Sequence, residues 1–405
     1  MSKKVFLTGG SGFVGKVIIE LLVEKGYHVV ALSRSDSSDK EIARVGGTPV
    51  RCSMSDESSL MEHIKGCFSV IHCAAKLETN ASSIDELFRD NVDATKTLYN
   101  VSCFQNVRVF VFISTEGVIM NGNNIRDAPE HVPSLDHINH LGWYNQSKAI
   151  AERYLLGYID NENNNNNNTN NTNNTNTNNT KIKNNFKDDN NENNTNNNNN
   201  NGILNNVNKK TTTTNNNNNT SSTSSSKTKS IIIRLPLIWG KGDNVLKHLC
   251  NLANTLRWVW IGGGRNQLSI CHVKNAAHGI ILAMEKGDNG DIYHLTDGPS
   301  VQFRSFFTER FQKCRVSDWK LHMSLPIPFA WLLVYVMSFM WRIFSLKGLP
   351  LLTKTGLYYS SKDFTINDQN ARLKLGYQPI ITYEQGMAQI AKEMTPKQSQ
   401  SHSQE

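Results

Sequence analysis

A tyrosine and a lysine four residues apart, Tyr144 and Lys148, form the first pattern in this sequence that could do chemistry. On a helix this spacing places both side chains on one face. A phenol is a poor base at neutral pH because its unperturbed pKa is about 10, and a neighbouring ammonium favours the phenolate and lowers that value. Two hydroxyls, Ser114 and Thr115, end a predicted strand that starts at Arg108. Such a set could exchange a proton with an alcohol or a ketone.

The amino terminus supplies a place for an anion. Gly9, Gly12 and Gly15 follow a short apolar strand, and a helix is predicted from about Gly12 to Lys25. Glycines let the backbone approach a pyrophosphate closely, and the free N–H groups at the helix N-terminus hold the anion. A second strand, His28 to Leu32, completes a βαβ unit. This context favours dinucleotide binding over a tight turn that binds nothing.

The end of the second strand bears on which dinucleotide binds. Ser33 and Arg34 stand there, and no carboxylate follows until Asp36. An acidic residue at this position binds the adenosine 2′-hydroxyl, whereas an arginine accommodates a 2′-phosphate. The sequence therefore favours NADP over NAD, although Arg34 would also suit a solvated strand end.

Strands and helices continue to alternate beyond this unit. A third strand at about Pro49 to Cys52 leads to Ser53 and Met54, where adenine would lie, and a fourth strand runs from Ser69 to His72. Small residues after the fourth strand let a cofactor cross the sheet edge. This alternation predicts an α/β fold with a Rossmann-type doubly wound parallel sheet, which binds ligands at the carboxyl ends of its strands, and a smaller C-terminal substrate-binding region.

One long stretch of the chain has nothing to place in a core. Residues 161–229 are almost entirely Asn, Thr and Ser, so burial cannot offset the entropy of ordering them. We interpret the stretch as a disordered insertion in a surface loop; an aggregation-prone or partner-binding element is the alternative.

The predicted organisation is an NAD(P)-binding Rossmann domain at 1–160, the insertion at 161–229, a return to the sheet with substrate-domain segments at 230–300, a substrate-binding region at 301–392, and a disordered tail at 393–405.

Charge and cysteine usage exclude several classes of function. The net charge is +8 and the pI is near 9.0, but the basic residues are scattered with no basic run, so no nucleic-acid partner is expected. The seven cysteines show no CxxC pair, and the twelve histidines show no HxxxH or HExxH spacing, so no metal site is expected. The chain opens directly on its first strand. We therefore expect a reduced protein on the cytoplasmic side of the cell that is not secreted.

Together these motifs resemble an extended short-chain dehydrogenase/reductase, and within that superfamily its 3β-hydroxysteroid dehydrogenase branch. Two positions depart from the family pattern: Ser53 stands where an Asp usually binds adenine, and Pro236 follows Arg234 one position later than usual. The segments that carry the resemblance are Thr8 to Gly15, His72 to Lys76, Asn91 to Thr95, Phe112 to Val118, Tyr144 to Lys148, Arg234 to Asp243, Ile261 to Gly264, Cys271 to Asn275, Thr296 to Gly298 and Leu375 to Pro379.

The resemblance implies hydride transfer between a nicotinamide and a secondary alcohol or its ketone. It makes Tyr144 the acid/base, has Lys148 hold the nicotinamide ribose, and has Thr115 bond the substrate oxygen, with Ser114 as the alternate. The implied cofactor-binding residues are Gly9, Gly12, Phe13, Val14, Gly15, Ser33, Arg34, Ser53, Met54, Ala74, Ala75, Lys76, Asn91, Tyr144, Lys148, Pro236, Leu237 and Ile238.

The implied substrate is a sterol or steroid-like molecule. A sugar-nucleotide epimerase or dehydratase, and a non-catalytic NAD(P)-sensing protein, are the alternatives. A homodimer is left open.

The segment from Ser324 to Trp341 is apolar and carries no charge. Its length is at the threshold of a membrane span, and two early prolines shorten the usable helix. A buried or lid helix over an apolar pocket, an interfacial anchor and a true span are all compatible with it. Each would suit an apolar substrate at the endoplasmic reticulum or another intracellular membrane.

Overall fold

The structure is a computed structural model that describes residues 3–135, 142–157, 228–255, 258–344 and 352–394. The predicted insertion lies outside the described residues except for Thr228 and Lys229. Strand structure begins at Lys229, one residue before the predicted return to the sheet. The predicted tail likewise lies outside the described residues except for Glu393 and Met394, which end a helix. The domain boundaries otherwise stay a prediction.

The described chain contains fifteen strands and twelve α-helices. The strands are β1 (Lys4–Thr8), β2 (His28–Ser33), β3 (Thr48–Arg51), β4 (Ser69–His72), β5 (Val109–Thr115), β6 (Ile125–Ala128), β7 (Lys229–Leu235), β8 (Leu237–Trp239), β9 (Val259–Ile261), β10 (Gln267–Leu268), β11 (Ile270–His272), β12 (Ile292–His294), β13 (Val301–Gln302), β14 (Met323–Leu325) and β15 (Phe364–Ile366). The helices are α1 (Phe13–Glu24), α2 (Asp36–Arg44), α3 (Glu57–Ile64), α4 (Ile84–Phe88), α5 (Ala94–Phe104), α6 (Trp143–Leu155), α7 (Asn244–Thr255), α8 (Val273–Lys286), α9 (Phe303–Lys313), α10 (Ile327–Ile343), α11 (Lys354–Ser361) and α12 (Tyr383–Met394).

Seven parallel strands form the central sheet, in the order β12-β7-β5-β4-β1-β2-β3. The order runs outward from β1 in both directions, which is the doubly wound arrangement. Its strands are nearly continuous apolar runs because helices cover both faces, as a parallel sheet requires. Val5 and Leu7 pack with Ile18 of α1 on one face. Phe6 packs with Leu98 of α5 on the other. The predicted fold class is confirmed.

A fully buried ion pair joins the sheet to the helix that carries Tyr144. The Arg234 guanidinium, on β7, donates from Nη2 to Glu152 of α6 at 2.8 Å and from Nη1 to the Val132 carbonyl at 2.6 Å. Neither side chain of the pair is exposed to solvent. Removing one partner of such a pair costs about 3–5 kcal/mol because the other charge is left uncompensated. The pair therefore fixes α6 against the carboxyl end of β7.

The apolar segment forms α10, which lies on the surface. Among the side chains of α10 that the structure describes, Ala330 and Val334 are the fully buried ones, and they pack with Leu357 of α11. The opposite side of the helix exposes large apolar side chains, including Leu332 at 59% and Phe339 at 63%. This exposure contradicts the interpretation of α10 as a buried helix. Among the described residues, no helix combines the length and the apolar character that crossing a membrane requires.

Candidate active site

The carboxyl ends of the central strands bring the predicted catalytic and cofactor residues to one edge. In the strand register, Thr8 of β1 lies beside His72 of β4. One strand further on, Thr115 of β5 lies beside Leu235 of β7. Pro236 and the two residues after it leave the sheet at this same edge, and Leu237 and Ile238 pair with β11.

The glycine turn after β1 is built so tightly that side chains are excluded. A Cβ on Gly15 would lie 2.1 Å from the carbonyl oxygen of Gly9, and a Cβ on Gly9 would lie 2.8 Å from the backbone nitrogen of Ala74. Gly9 also has a φ of 75°, which glycine adopts without strain. Phe13 and Val14 follow in the first turn of α1, whose N-cap, Gly12, has no side chain to occupy the N–H groups. This is the cradle that a pyrophosphate fits.

A cleft of about 770 Å³ opens from the glycine turn across the ends of β1 to β4. Eight predicted cofactor residues line it: Gly9, Ser33, Arg34, Ser53, Met54, Ala74, Ala75 and Lys76. Sequence reasoning missed several others, among them Ser11, Arg51, Asn80 and Thr97. Ser11 lies within the glycine motif and could have been included from sequence, whereas Arg51, Asn80 and Thr97 belong to no local motif and are identified only by the folded chain. The cleft suits an extended ligand with a phosphate at the turn.

Two arginines stand at the far end of this cleft. Arg34 is exposed to solvent after β2. Arg51, which ends β3, forms ion pairs with Asp36 and Asp39 of α2, the second at 2.7 Å. The Arg51 guanidinium, with help from the Ser33 hydroxyl, holds the pKa of the Asp39 carboxyl below its usual value. The two carboxylates at the start of α2 are therefore already engaged by Arg51.

The Lys76 ammonium is not directed into the cleft as a free cation. Its Nζ lies 2.5 Å from a carboxylate oxygen of Glu86 and 2.6 Å from one of Asp90. Hydrogen bonds to these two carboxylates, Asp90 first, raise the pKa of Lys76 above its ordinary value. The Lys76 ammonium is therefore already paired with two carboxylates of the protein.

Asn91 connects the cleft wall to the catalytic helix. Its Oδ1 accepts from the Lys76 N–H at 2.7 Å, and its Nδ2 donates to the Lys76 carbonyl at 2.9 Å and to Ser147 at 3.0 Å. Ser147 in turn donates to the Tyr144 carbonyl at 2.7 Å. Asn91 lies in a short π-helical turn, Arg89–Asp93. The side-chain atoms of this predicted cofactor residue are thus used within the protein.

Tyr144 and Lys148 share one face of α6, as their spacing predicts. The Lys148 ammonium donates to the Ile113 carbonyl at 2.7 Å, over the ring of Phe112. Burial lowers the pKa of Lys148 to about 8, although Cys73 and Glu152 oppose that shift. Burial also raises the pKa of the Tyr144 phenol, and the Cys73 thiol adds to the rise. The surroundings of Tyr144 in the protein therefore raise its pKa, whereas the sequence predicts a lower one. A lower pKa requires positive charge beside the phenol.

The two hydroxyls at the end of β5 have different surroundings. The Thr115 Oγ1 is partly exposed and accepts from the Gly117 N–H at 3.2 Å. The Ser114 hydroxyl is buried and has no partner among the described residues. Glu116, next in the chain, is 1% exposed, and its Oε2 likewise has no partner among the residues described. Burial raises the pKa of the Glu116 carboxyl well above its usual value, which favours the neutral form.

Other polar groups at this edge were not assigned a role from sequence. His72 bridges Thr8 at 2.6 Å and Thr95 at 2.8 Å, and burial lowers its pKa to about 3. Burial raises the pKa of Tyr359, from α11, and the nearby Glu116 and Tyr144 raise it further. Glu116 could have been noted as a carboxylic acid next to a candidate catalytic hydroxyl. Tyr359 offers no local signal, because α11 follows Thr115 by more than half of the chain.

Comparisons with known proteins agree with this geometry. Residues 5–184 match the NAD dependent epimerase/dehydratase family. A sterol-4-alpha-carboxylate 3-dehydrogenase, decarboxylating, from Dictyostelium discoideum is 51% identical over 391 residues, covering 96% of this chain and 100% of that protein. A 3-beta-hydroxysteroid dehydrogenase from Mycolicibacterium neoaurum is 24% identical, covering 95% and 90%.

Solved structures extend the likeness to the fold. The dTDP-glucose 4,6-dehydratase DesIV from Streptomyces venezuelae, with NAD bound, superposes with a TM-score of 0.62. The match covers 96% of each chain at 16% sequence identity. Sequence identity this low supports the shared fold alone.

We expect the substitution Glu116→Gln to raise the free energy of unfolding at neutral pH. The native Glu116 carboxyl binds its proton more tightly than the unfolded one, so wild-type stability falls as the pH rises above about 4.3, by about 1.4 kcal/mol per pH unit up to the native pKa. The glutamine variant has no carboxyl to ionise at this position, so its stability does not fall in this way. Denaturant unfolding at pH 4 and pH 7.5 measures the difference: the variant should have a higher free energy of unfolding than wild type at pH 7.5 but not at pH 4. Glu62→Gln, an exposed position on α3, is the control. Equal pH profiles for Glu116→Gln and wild type would contradict a neutral buried carboxyl.

Proposed function

We propose an activity from the family to which the chain belongs, the 3β-hydroxysteroid dehydrogenase-like family of the extended short-chain dehydrogenases/reductases. The protein is a nicotinamide-dependent enzyme that interconverts a secondary alcohol and a ketone on a sterol. The observation that carries this proposal is the full-length relative at 51% identity, taken together with Thr115, Tyr144 and Lys148 at one sheet edge. The glycine cradle and the cleft fit a nicotinamide dinucleotide. The prediction of the family is confirmed.

The finer proposal concerns the substrate. The Dictyostelium relative is named for a sterol 4α-carboxylate and for decarboxylation. We infer that this chain also takes a 3β-hydroxysterol with a carboxylate at the neighbouring carbon. Oxidation of the alcohol gives a β-keto acid, whose C–C bond to the carboxylate breaks readily because the ketone accepts the electron pair. The products are carbon dioxide and, after protonation, the ketone.

In alcohol oxidation, Tyr144, Lys148 and Thr115 each have a separate role. A bound nicotinamide supplies the hydride acceptor. Tyr144 takes the alcohol proton and returns it in the reductive direction. Positive charge from Lys148, which is buried on the same helix face, and from an oxidised nicotinamide would favour the phenolate of Tyr144. The Thr115 hydroxyl donates to the substrate oxygen and holds it within reach of Tyr144. Asn91 and Ser147 keep the helix that carries both groups at the cleft wall.

We expect Tyr144→Phe to lower the turnover of 3β-hydroxysterols by about 10²–10⁴-fold, which is the usual contribution of a positioned acid/base group. A panel of sterols with and without a 4α-carboxylate, followed by cofactor absorbance and by release of carbon dioxide, measures it. Tyr154→Phe is the matched control, because Tyr154 lies on the same helix but donates to Asn100 at the surface. Wild-type protein that turns over no sterol in the panel would refute the proposed function.

We also propose that NADP is preferred over NAD. The support is the exposed Arg34 at the end of the cleft, with Asp36 and Asp39 both engaged by Arg51. A 2′-phosphate at this end of the cleft would gain a charge-assisted bond from Arg34 and would meet no unpaired carboxylate from α2.

Arg34→Ala should weaken NADP binding by about tenfold or more while leaving NAD binding within twofold, because a hydrogen bond to a charged group contributes about 1.5–3 kcal/mol. Titration of protein fluorescence with each dinucleotide gives both dissociation constants. Arg44→Ala is the control, since Arg44 pairs with Glu41 and does not line the cleft. Equal losses for the two dinucleotides would exclude this role for Arg34.

A third proposal is that α10 lies in the surface of an intracellular membrane, on its cytoplasmic side, for which the endoplasmic reticulum is one candidate. The support is the row of exposed apolar side chains on a helix with no acidic residue, and the ammonium of Lys354 beside the Tyr335 ring. An amphipathic helix of this kind inserts its apolar face at the headgroup boundary. Such a position would place the enzyme where sterols dissolve. The homodimer stays a prediction.

The double substitution Leu332→Glu with Phe339→Glu should abolish binding to lipid vesicles without loss of fold, because both side chains are exposed. Flotation with phosphatidylcholine vesicles, alone and with anionic lipid, measures binding, and circular dichroism checks the fold. Phe104→Glu is the control: Phe104 is 71% exposed but lies on α5. If wild type stays unbound on both vesicle types, or if the double variant floats as well as wild type, α10 is not a membrane anchor.

A further inference from the structure

A carboxylate from the loop after β4 reaches the start of the catalytic helix. Glu78 begins a short 3-10 turn, Glu78–Asn80. Its Oε1 accepts a hydrogen bond from the backbone N–H of Tyr144 at 2.8 Å. The bond is partly buried, and it joins residues that are 66 positions apart in the chain. Glu78 therefore contacts the backbone of the residue that is proposed to exchange the proton.

The first residues of α6 depend on another segment of the chain for a cap. The first N–H groups of a helix have no partner within it, and a side-chain oxygen at the N-cap position usually accepts from one of them. In α6 the N-cap residue is Gly142, which carries no side chain and cannot supply that oxygen. Tyr144 is the second residue of the helix, so its N–H needs an outside partner. Glu78 supplies it.

Gly142 makes room for this contact. A Cβ at this position would lie 2.8 Å from Oε1 of Glu78 and 2.7 Å from Oγ1 of Thr355 on α11. Its φ of 92° also lies in a region that residues with a side chain rarely adopt. The helix therefore begins where three segments of the chain meet closely, and a side chain on Gly142 would displace the carboxylate.

The loop that carries Glu78 also forms one wall of the dinucleotide cleft. Residues 74–76 and Asn80, which flank Glu78 in the chain, line that cleft. The side chain of Glu78 binds the catalytic helix instead. One short loop thus contacts both the cofactor site and the helix that carries Tyr144.

Both polar groups of the Tyr144 backbone are bound by side chains. Glu78 accepts from its N–H, and Ser147 donates to its carbonyl at 2.7 Å. A carboxylate at the N-terminus of a helix also interacts favourably with the helix dipole. The backbone from which the phenol extends is therefore held in place on both sides of its Cα atom.

We propose that Glu78 is a positioning residue, which caps the catalytic helix and so fixes the phenol of Tyr144 beside the substrate oxygen. The inference rests on the proposed function, because it takes Tyr144 as the group that exchanges the proton. Misplacing a reacting group by about 1 Å can lower the rate by about 10²-fold. The cap requires an acceptor oxygen, so the amide of a glutamine, which has the same length, serves in place of the carboxylate.

The test compares two substitutions of Glu78 in the full-length protein. Glu78→Ala should lower kcat for 3β-hydroxysterols by about tenfold or more, because the helix loses its cap. The dissociation constant of the dinucleotide should change by less than about twofold, because the neighbours of Glu78 form the cleft wall. Glu78→Gln retains an acceptor and should recover kcat to within about threefold of wild type. A glutamine variant no faster than the alanine variant would overturn the proposal.

Thr382→Ala is the matched control for stability. The Thr382 hydroxyl accepts from the Gln385 N–H at 3.3 Å at the start of α12, so this substitution removes a cap of the same kind from another helix. Both alanine variants should unfold at a lower temperature than wild type, but only Glu78→Ala should lower kcat. Equal losses of kcat would mean that Glu78 acts through stability alone and would overturn its positioning role.

Amide exchange at Tyr144 tests the cap without a substrate. In protein labelled with ¹⁵N-tyrosine, the Tyr144 N–H should exchange about tenfold faster or more in Glu78→Ala than in wild type, and it should stay slow in Glu78→Gln. The other tyrosine amides are the internal reference. An unchanged Tyr144 rate in Glu78→Ala would overturn the cap. Wild-type protein without sterol turnover would refute the proposed function, while the exchange rates would still decide the cap, so the two failures are distinguishable.

Discussion

One buried amide joins the two halves of the site. Asn91 accepts from and donates to the backbone of Lys76, which belongs to the cleft wall, and donates to Ser147 on the catalytic helix. All three bonds are buried or partly buried, so breaking them would leave polar groups without water or partner, at a cost of about 1–3 kcal/mol each. The distance between the cleft and Tyr144 therefore depends on this side chain. The Arg234–Glu152 pair holds the same helix from its other end.

The edge where the chemistry takes place is built mainly from neutral polar groups. Burial lowers the pKa values of His72 and Lys148 and raises those of Tyr144 and Glu116, so each shift favours the uncharged form. Few fixed charges then compete with the charge that develops during alcohol oxidation. In such surroundings, a single ammonium has more influence on a phenol than it would have in water.

Helices α10 and α11 connect the surface to the same edge. The inner side of α10 packs through Ala330 and Val334 on Leu357, two positions before Tyr359 on α11. Its outer side exposes apolar side chains. Helix α10 thus packs directly on the helix that carries Tyr359.

The sequence by itself determined the features that depend on local patterns. The glycine spacing, the alternation of strands and helices, and the Tyr144–Lys148 interval each follow from the geometry of a few consecutive turns, and the predicted α/β fold is confirmed. Only the tertiary structure decided which side chains meet. Lys76 is engaged by Glu86 and Asp90, and Asn91 bonds Ser147, because separate elements converge at one edge. Composition also could not decide the position of α10, since an apolar helix can face a core or a surface. Its neighbours in the fold set which side is covered.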